Sequence, residues 1–396
     1  MHIVIFDDTH NKSFYPISQT RSIGDLRVGI LKLRQRLEYA FGAEDTIVHI
    51  DPRLMPLYQE RHPEWQINQC PEGDKLYLNS RIKVDNETIK LIKNLERDQS
   101  LMQRDDFVAI RSHADLDSCL NGKHRLEVKQ CHIPLYQNFS DIIHDNPRLI
   151  SWDFDQIFYE EDNFFETETG VSVLNPYNVW IAEDVRISPN VVLDASDGPI
   201  VIDSGVRIMA NTVILGPTYI GKKSLVKIGA KIYGGTSIGP VCKVGGEIEG
   251  SIIQAYSNKQ HDGFLGHSYV GEWVNIGADT NNSDLKNTYK NVRTYDYAKN
   301  TFVDCGSQFM GCVLGDHTKT GINVSLNTGL VVGTGSNIFG SKLFCGFIPD
   351  FSWGEAEHLT KYRFNEFCQT VELVKNRRGL TFSETEKKLL KTITGE

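Results

Sequence analysis

His261 is the residue whose type and setting most directly suggest chemistry. It stands in the polar segment 256–263, between two stretches rich in aliphatic residues. An imidazole can accept a proton near neutral pH, so His261 is a candidate general base. Two other interpretations stay open. One is a hydrogen-bonded histidine without a catalytic role. The other is a ligand of a zinc ion bound between subunits, because His267, a candidate second ligand, cannot easily approach His261 within one chain.

A repeat in the sequence predicts the scaffold that positions His261. Aliphatic side chains recur at every sixth position, with short insertions, at Ile181, Ile187, Leu193, Ile202, Ile208, Ile214, Ile220, Val226, Ile232, Ile238, Val244, Ile252, Phe264, Val270 and Ile276, and again near Thr320, Leu326, Val332 and Ile338. A period of six fits neither a helix nor an ordinary strand. It fits short strands joined by tight corners, three to a coil, and predicts a parallel β-helix whose coils stack about 4.8 Å apart.

Two polar interruptions break this repeat. The frame places Asn258 on the inside of the coil, and a second polar segment runs from 279 to 300. Loops on a rigid scaffold often carry binding groups, so both interruptions are candidate functional segments.

The flanks of the repeat have other patterns. Strand-like runs at 3–6, 46–50 and 106–110 alternate with helical runs at 22–40 and 86–96, which predicts an α/β domain. We expect this domain to span 1–172, the β-helix 173–346 and a helical extension 347–396. Within the extension, Ser383 is a candidate N-cap, with Glu386 three residues later.

Composition limits the class of protein. With a net charge of −9, the protein has no excess of positive charge with which to bind a nucleic acid or an anionic membrane. No apolar run approaches the roughly 20 residues of a membrane span. The eight cysteines are widely separated, and the N-terminus begins as a strand without a basic leader, so we expect a reduced cytoplasmic protein.

The segment 261–280, HDGFLGHSYVGEWVNIGADT, resembles the acetyltransferase segment of the GlmU family of bifunctional sugar-phosphate nucleotidyltransferases and N-acetyltransferases. The family pattern G-H-x-x-Y-[IL]-G-D, followed by V-N-I-G-A-G-T, aligns with it without gaps. The resemblance implies a left-handed β-helix, a homotrimer and acetyl-CoA as cosubstrate. It places His261 at the catalytic base and Asn275 and Ala278 at positions that line the acetyl-transfer site. The substrate-binding tyrosine of the family is Phe264 here, and Lys259 and Lys231 are the nearest cations for a sugar phosphate.

The N-terminal domain departs further from that family. Sugar-phosphate nucleotidyltransferases follow their first strand with L-x-x-G-x-G-T-R, whereas this chain has no glycine before Gly24. Arg21 and Arg27 could still clamp phosphates, and Asp7 or Asp8 could bind Mg²⁺. The alternative is a surface acidic pair and two solvated arginines.

Together these patterns predict a GlmU-like transferase that moves an acetyl group from acetyl-CoA to an amino-sugar phosphate such as glucosamine-1-phosphate. UTP- or dTTP-dependent nucleotidyl transfer in the first domain is a further expectation. Two alternatives stay open: a nucleotidyltransferase whose β-helix only assembles or regulates the protein, and a non-catalytic trimer that binds a sugar nucleotide.

Overall fold

The computed structural model describes residues 1–161, 163 and 169–395. Seven strands form the sheet of the N-terminal domain: β1 (His2–Phe6), β2 (Ile47–His49), β3 (Gln66–Ile67), β4 (Lys75–Asn79), β5 (Gln99–Gln103), β6 (Asp106–Ser112) and β7 (Glu127–Gln130). Their order is β3-β2-β1-β4-β6-β5-β7. The first four are parallel, and β6 runs antiparallel to both of its neighbours. The carboxyl ends of β1, β2 and β4 therefore share one edge.

The described part of this domain contains four α-helices that pack on the sheet, α1 (Leu33–Phe41), α2 (Met55–Arg61), α3 (Asn86–Lys93) and α4 (Leu116–Leu120). A further helix, α5 (Phe139–Asp153), contacts strands of the second domain. A π-helical turn, Phe154–Phe158, extends α5, and short 3₁₀ turns lie at Thr9–Phe14, Ile17–Gln19, Ile23–Asp25 and Pro176–Asn178. Asp85 and Asn138 accept backbone N–H bonds at the starts of α3 and α5, which explains where these two helices begin.

The second domain is a three-sided coil of short parallel strands. Its first face holds β8 (Ser172–Leu174), β11 (Val192–Asp194), β14 (Val213–Leu215), β17 (Lys231–Ile232), β20 (Glu247–Glu249) and β23 (Phe264–Gly266), continued by β25 (Asn281–Asn282) and β30 (Ser325–Leu326). Its second face holds β9 (Val179–Ile181), β12 (Ile200–Ile202), β15 (Thr218–Ile220), β18 (Thr236–Ile238), β21 (Ile252–Ile253), β24 (Tyr269–Val270), β28 (Val313–Leu314), β31 (Val331–Val332) and β33 (Phe347–Ile348).

The third face holds β10 (Arg186–Ile187), β13 (Arg207–Ile208), β16 (Leu225–Val226), β19 (Lys243–Val244), β22 (Asn258–Lys259), β29 (Lys319–Thr320), β32 (Asn337–Ile338) and β34 (Ser352–Glu355). A bridge through Asn275 joins β22 to β29. Two hairpins leave the coil: β26 (Arg293–Asp296) pairs with β27 (Thr301–Asp304), and β34 pairs with β35 (His358–Lys361). The architecture is consistent with the left-handed parallel β-helix that the repeat and the resemblance predicted.

The interior of the coil follows the predicted aliphatic ladder, with one shift of register. Ile238 pairs with Ile253, and Ile248 pairs with Leu265, so Ile253 and Leu265 point inward. The predicted inward residues, Ile252 and Phe264, each lie one position too early. The cause is a pair of shortened corners after Val244, at which Gly246 and Gly250 adopt positive φ angles.

The second face of the coil is covered by the N-terminal domain. The segment Ser22–Lys32, predicted as helix, is instead an irregular strap that packs Ile23, Leu26 and Val28 against Tyr269 and its neighbours. The Tyr269 hydroxyl donates to the Arg27 carbonyl (3.1 Å). Tertiary burial thus overrides the helical periodicity of this segment.

The C-terminal segment completes the coil and then closes the corner between its second and third faces. The coil continues beyond residue 346, because β33 pairs with β31. Two helices follow, α6 (Phe364–Asn376) and α7 (Glu384–Ile393), and α7 contacts α2 of the first domain. Ser383 caps α7 by accepting the Glu386 N–H bond (3.1 Å), as predicted. In the part of the chain that the structure describes, no helix has the length and apolarity needed to cross a membrane.

Candidate functional site

A cleft of about 490 Å³ lies at the corner between the third and first faces, away from the N-terminal domain. We name it the corner cleft. It is lined by Lys227, Ile228, Gly246, Gln260, His261, Asp262, Ala278, Asp279, Ile322 and Asn323. Lining residues such as Ile228, His261, Ala278 and Ile322 each stand two positions after an inward residue of the third face, so successive coils stack them in one column. The scaffold therefore repeats one corner position until it forms a groove.

The structure brings together two of the predicted acyl-transfer residues and separates two others. His261 and Ala278 both line the corner cleft. Asn275 is exposed on the third face, where its Oδ1 accepts a hydrogen bond from Asn258 (3.3 Å). Phe264 lies on the first face and donates its backbone N–H to Asn281 (2.8 Å). Asn275 and Phe264 therefore flank the cleft on its two sides rather than lining it.

Lys259 is the inward residue of its coil, one position after the Asn258 that the repeat predicted. Its side chain is buried, and its ammonium donates to the carbonyls of Gly245 (3.0 Å) and His261 (2.7 Å). Burial lowers the pKa of Lys259 to about 8, although the Asp262 and Asp279 carboxylates oppose the shift. Lys259 thus holds the backbone of His261 from inside the coil and does not reach into the corner cleft.

We expect Lys259 to make the free energy of unfolding depend on pH in the alkaline range. Between pH 8 and 10.5 the unfolded chain retains a proton on this amine that the folded chain has lost. Unfolding free energy should therefore rise with pH in this window, by about 3 kcal/mol at most. Urea melts of the wild type and Lys259→Met should diverge there, whereas Lys231→Met, at an exposed lysine, should follow the wild type. Parallel curves for Lys259→Met and the wild type would contradict this prediction.

Each corner of the coil carries one histidine near this level. His267 lies between the first and second faces, and its Nδ1 is 2.8 Å from Asp284 Oδ2. His317 lies between the second and third faces, is buried against Trp273 and Phe367, and has its pKa lowered by burial. The three histidines therefore do not converge on one metal ion within one chain. The His267–Asp284 pair was not predicted, because Asp284 belongs to the second polar segment, 17 residues after His267.

Lys227 was not among the site residues predicted from the sequence. It is the lysine of the corner cleft, half-buried at the column position that Gln260 occupies two coils later. Val226, Val244 and Lys259 pair with one another in successive coils, so the residues that follow them, Lys227 and Gln260 included, lie in one column. Among the described residues that line the cleft, none is Ser, Thr or Cys. The described lining thus offers a base and a cation, and it suits direct transfer rather than a covalent acyl-enzyme.

A second cavity, of about 500 Å³, lies at the carboxyl ends of β1 and β2 in the N-terminal domain. Strand order reverses beside β1, which is where open α/β sheets bind ligands. Its lining includes Asp7, Asp8, Asp51, Asp105 and Asp106, together with Thr9, Asn11, His49 and apolar residues. Lys and Arg are absent from the described lining of this cavity.

Asp7 and Asp8 line that cavity but do not fit the predicted magnesium site. Asp7 accepts hydrogen bonds from Ser22 (3.0 Å), Ser80 (2.7 Å) and the backbone N–H of Ile23 (3.0 Å). Burial raises the pKa of Asp7 to about 6. Both Asp8 oxygens accept from the buried Arg81 guanidinium, which holds the pKa of Asp8 low despite burial. A divalent cation at Asp8 would compete with this bound guanidinium, and one at Asp7 would displace the hydroxyl and N–H donors that already occupy that carboxylate.

The predicted phosphate clamp, Arg21 and Arg27, is turned toward the β-helix instead of that cavity. Arg21 is buried in ion pairs with Asp316 and with Glu272 (3.1 Å). Arg27 donates to the Ile30 carbonyl and lies over the Tyr219 ring, 5.2 Å from its centroid. Both charges join the two domains, so this geometry does not favour phosphate binding by either arginine.

Comparisons with known proteins give one family-model match and several similar sequences. Residues 3–161 match a family model described as sugar nucleotidyl transferase. The bifunctional protein GlmU of Bartonella quintana is 25% identical over 246 residues, which are 60% of this chain and 49% of that protein. The GlmU protein of Synechococcus sp. strain CC9311 is 27% identical over 201 residues, 48% of this chain and 38% of that protein.

The matched region spans less than half of each of these GlmU proteins. Among solved structures, LpxA from Acinetobacter baumannii is 14% identical, with 58% of this chain and 80% of that chain covered. Its TM-score of 0.30 is too low to support any conclusion. The resemblance predicted from residues 261–280 is confirmed as a similarity of sequence: this chain is similar to GlmU proteins, and its N-terminal domain matches a sugar nucleotidyl transferase model.

Proposed function

We propose that the corner cleft transfers an acetyl group from acetyl-CoA to the amine of an amino-sugar phosphate, glucosamine-1-phosphate being the first candidate. The observation that carries this proposal is His261 in a solvent-open cleft that also holds Lys227 and has no nucleophilic hydroxyl or thiol on its described lining. The similarity to GlmU proteins supports the same assignment.

The chemistry needs a base and a site for charge. The imidazole of His261 takes a proton from the amine as nitrogen attacks the thioester carbonyl. The C–N bond forms, the C–S bond breaks, and the imidazolium returns the proton to the leaving sulfur. Lys259 fixes the His261 backbone from inside the coil, which limits the positions open to the imidazole.

A homotrimer is part of this proposal. Ile228 and Ile322 leave 60% and 67% of their surface exposed along the corner column. Apolar side chains in this position suit the pantetheine arm of the cosubstrate or a neighbouring coil. Asn275, exposed on the third face, would orient the substrate or stabilise the oxyanion only when another subunit brings that face to a corner cleft.

Lys227 provides the sharpest test of where acetyl-CoA binds. We expect Lys227→Ala to weaken acetyl-CoA binding about 10- to 150-fold, because a phosphate contact to a charged donor contributes about 1.5–3 kcal/mol. Lys231→Ala is the matched control, since Lys231 lies on the first face and pairs with Glu247 (3.2 Å). Calorimetric titration should give the wild-type affinity for this control. If both substitutions weaken acetyl-CoA binding equally, or if neither weakens it, acetyl-CoA does not bind in the corner cleft.

The N-terminal domain supports a second candidate activity, the binding or turnover of a sugar nucleotide. Its cavity at the ends of β1 and β2 and its match to a sugar nucleotidyl transferase model favour this assignment. Pyrophosphate release from UTP or dTTP would identify a nucleotidyltransferase, and nucleotide binding without release would identify a binding domain. A chain that binds a sugar nucleotide but shows neither pyrophosphate release nor acetyl transfer would be the non-catalytic trimer. Eight free cysteines suit a reducing cytoplasmic location.

A further inference from the structure

Three metal-ligating side chains meet on the N-terminal domain, in a cluster that the proposed activities do not use. Asp98 immediately precedes β5, His113 immediately follows β6, and His124 lies between α4 and β7. One ligand atom from each lies within 4.8 Å of the other two. Because β6 runs antiparallel to β4, its last residue lies at the sheet edge opposite the cavity beside Asp7.

The separations suit a small divalent ion. Asp98 Oδ1 is 2.8 Å from His124 Nε2 and 3.7 Å from His113 Nδ1. Two ligands bound tetrahedrally to zinc, at bonds of about 2.0–2.1 Å, lie about 3.3 Å apart. These two distances bracket that value, and all three ligand atoms lie within 4.8 Å of one another, so a small adjustment of the side chains would place them around one ion.

The carboxylate is held in place by its surroundings. The backbone of Asp98 adopts φ 60°, with its N–H bonded to the Arg111 carbonyl (2.7 Å) and its carbonyl to the Glu127 N–H (2.8 Å). The Ser112 hydroxyl donates to Asp98 Oδ1 (2.7 Å), and the other lone pair of that oxygen faces His124 Nε2 (2.8 Å), where a metal ion would replace the hydrogen bond between the two side chains. Outer partners of this kind orient metal ligands and raise affinity.

A second cluster in the same domain shows what distinguishes this one. Asp8, His10 and Asp106 also lie within 4.8 Å of one another. There, however, the buried Arg81 guanidinium bonds to Asp8 and to Asp106 (3.0 Å), supplying the positive charge that a metal would bring. No Arg or Lys ion-pairs with Asp98 among the described residues, and Lys75 donates its ammonium to the backbone carbonyl of His113 (2.7 Å) rather than to a ligand side chain.

We propose that Asp98, His113 and His124 bind a divalent transition-metal ion, zinc being the best fit. Two imidazoles and one carboxylate form a borderline donor set that favours zinc over magnesium or calcium. The side chains are 34%, 59% and 25% exposed, so a water or another external ligand completes the coordination. The ion would join the start of β5, the end of β6 and the loop before β7, stabilising this edge of the sheet.

The test uses the full-length protein, freed of metal by chelator and dialysed. Titration with Zn²⁺ should give one site per chain, and His113→Ala and His124→Ala should each weaken it at least about tenfold. His132→Ala, at an exposed histidine of the same domain, and His10→Ala, in the cluster that contains Arg81, should retain wild-type affinity. Co²⁺ should produce intense tetrahedral visible bands in the wild type that His113→Ala lacks.

Thermal unfolding provides a second readout. Zn²⁺ should raise the Tm of the wild type and of His132→Ala, but not that of His113→Ala. Far-UV circular dichroism of the metal-free variants shows whether each is folded before titration. Wild-type affinity in both His113→Ala and His124→Ala, or loss of the site in His10→Ala, would overturn the proposal.

Discussion

Replacing Arg21 by Met should lower the free energy of unfolding by about 3–5 kcal/mol, because it leaves two buried carboxylates unpaired. Arg21 lies between Asp316 and Glu272, and its side chain is 9% exposed. Burial alone would lower the pKa of Arg21, but these carboxylates overcome it and raise that pKa. The substitution therefore removes the charge that holds the strap of the first domain on the second face of the coil. Urea unfolding at neutral pH measures the effect.

Arg53→Met is the matched control for this prediction. Arg53 is 40% exposed and pairs with Asp51, so its loss should cost at most about 1 kcal/mol. The opposite pattern, a stable Arg21→Met variant that binds nucleotides weakly, would contradict the structural role of Arg21. It would support the phosphate clamp that the sequence suggested.

Replacing His261 by Ala should lower kcat/KM for acetyl transfer by about 10²–10⁴-fold, the usual contribution of a positioned general base. The side chain is exposed, so the fold and the mass in light scattering should not change. Steady-state thiol release, measured over a range of acceptor concentrations, separates a fall in kcat from a rise in KM. A loss confined to KM would make His261 a binding residue.

His267→Ala tests the competing base. His267 is bonded to Asp284 and lies at another corner of the same coil, which makes it the best alternative proton acceptor. We expect His267→Ala to retain most of the activity that His261→Ala loses. The reverse result would move the reaction to the corner beside the N-terminal domain.

The β-helix could be predicted because one inward aliphatic residue per face is a local requirement, repeated many times. From Ile202 to Val244 the predicted ladder matches the pairing of the strands. The predicted register is wrong by one residue after the two short corners at Gly246 and Gly250. The length of a corner depends on backbone angles, which the spacing of hydrophobic residues does not reveal. Because of this one-residue error, the sequence predicted Asn258 rather than Lys259 inside the coil.

The roles of Arg21 and of the segment 22–32 could not be predicted, because both depend on contact between domains. An apolar periodicity of 3.6 residues looks the same whether the side chains form a helix or pack as a strap. Arg21 finds its partners Asp316 and Glu272 about 250 to 300 residues away. Nothing local in the sequence signals a partner at that distance.

Thiol release from acetyl-CoA by the wild type, measured with and without glucosamine-1-phosphate, distinguishes acetyl transfer from binding alone. We expect release that depends on the acceptor, with an N-acetylated sugar phosphate as the product identified by mass spectrometry. Release that leaves the acetyl group on the protein would contradict direct transfer. Binding of acetyl-CoA without release to any amino-sugar phosphate would contradict the proposed acetyltransferase itself.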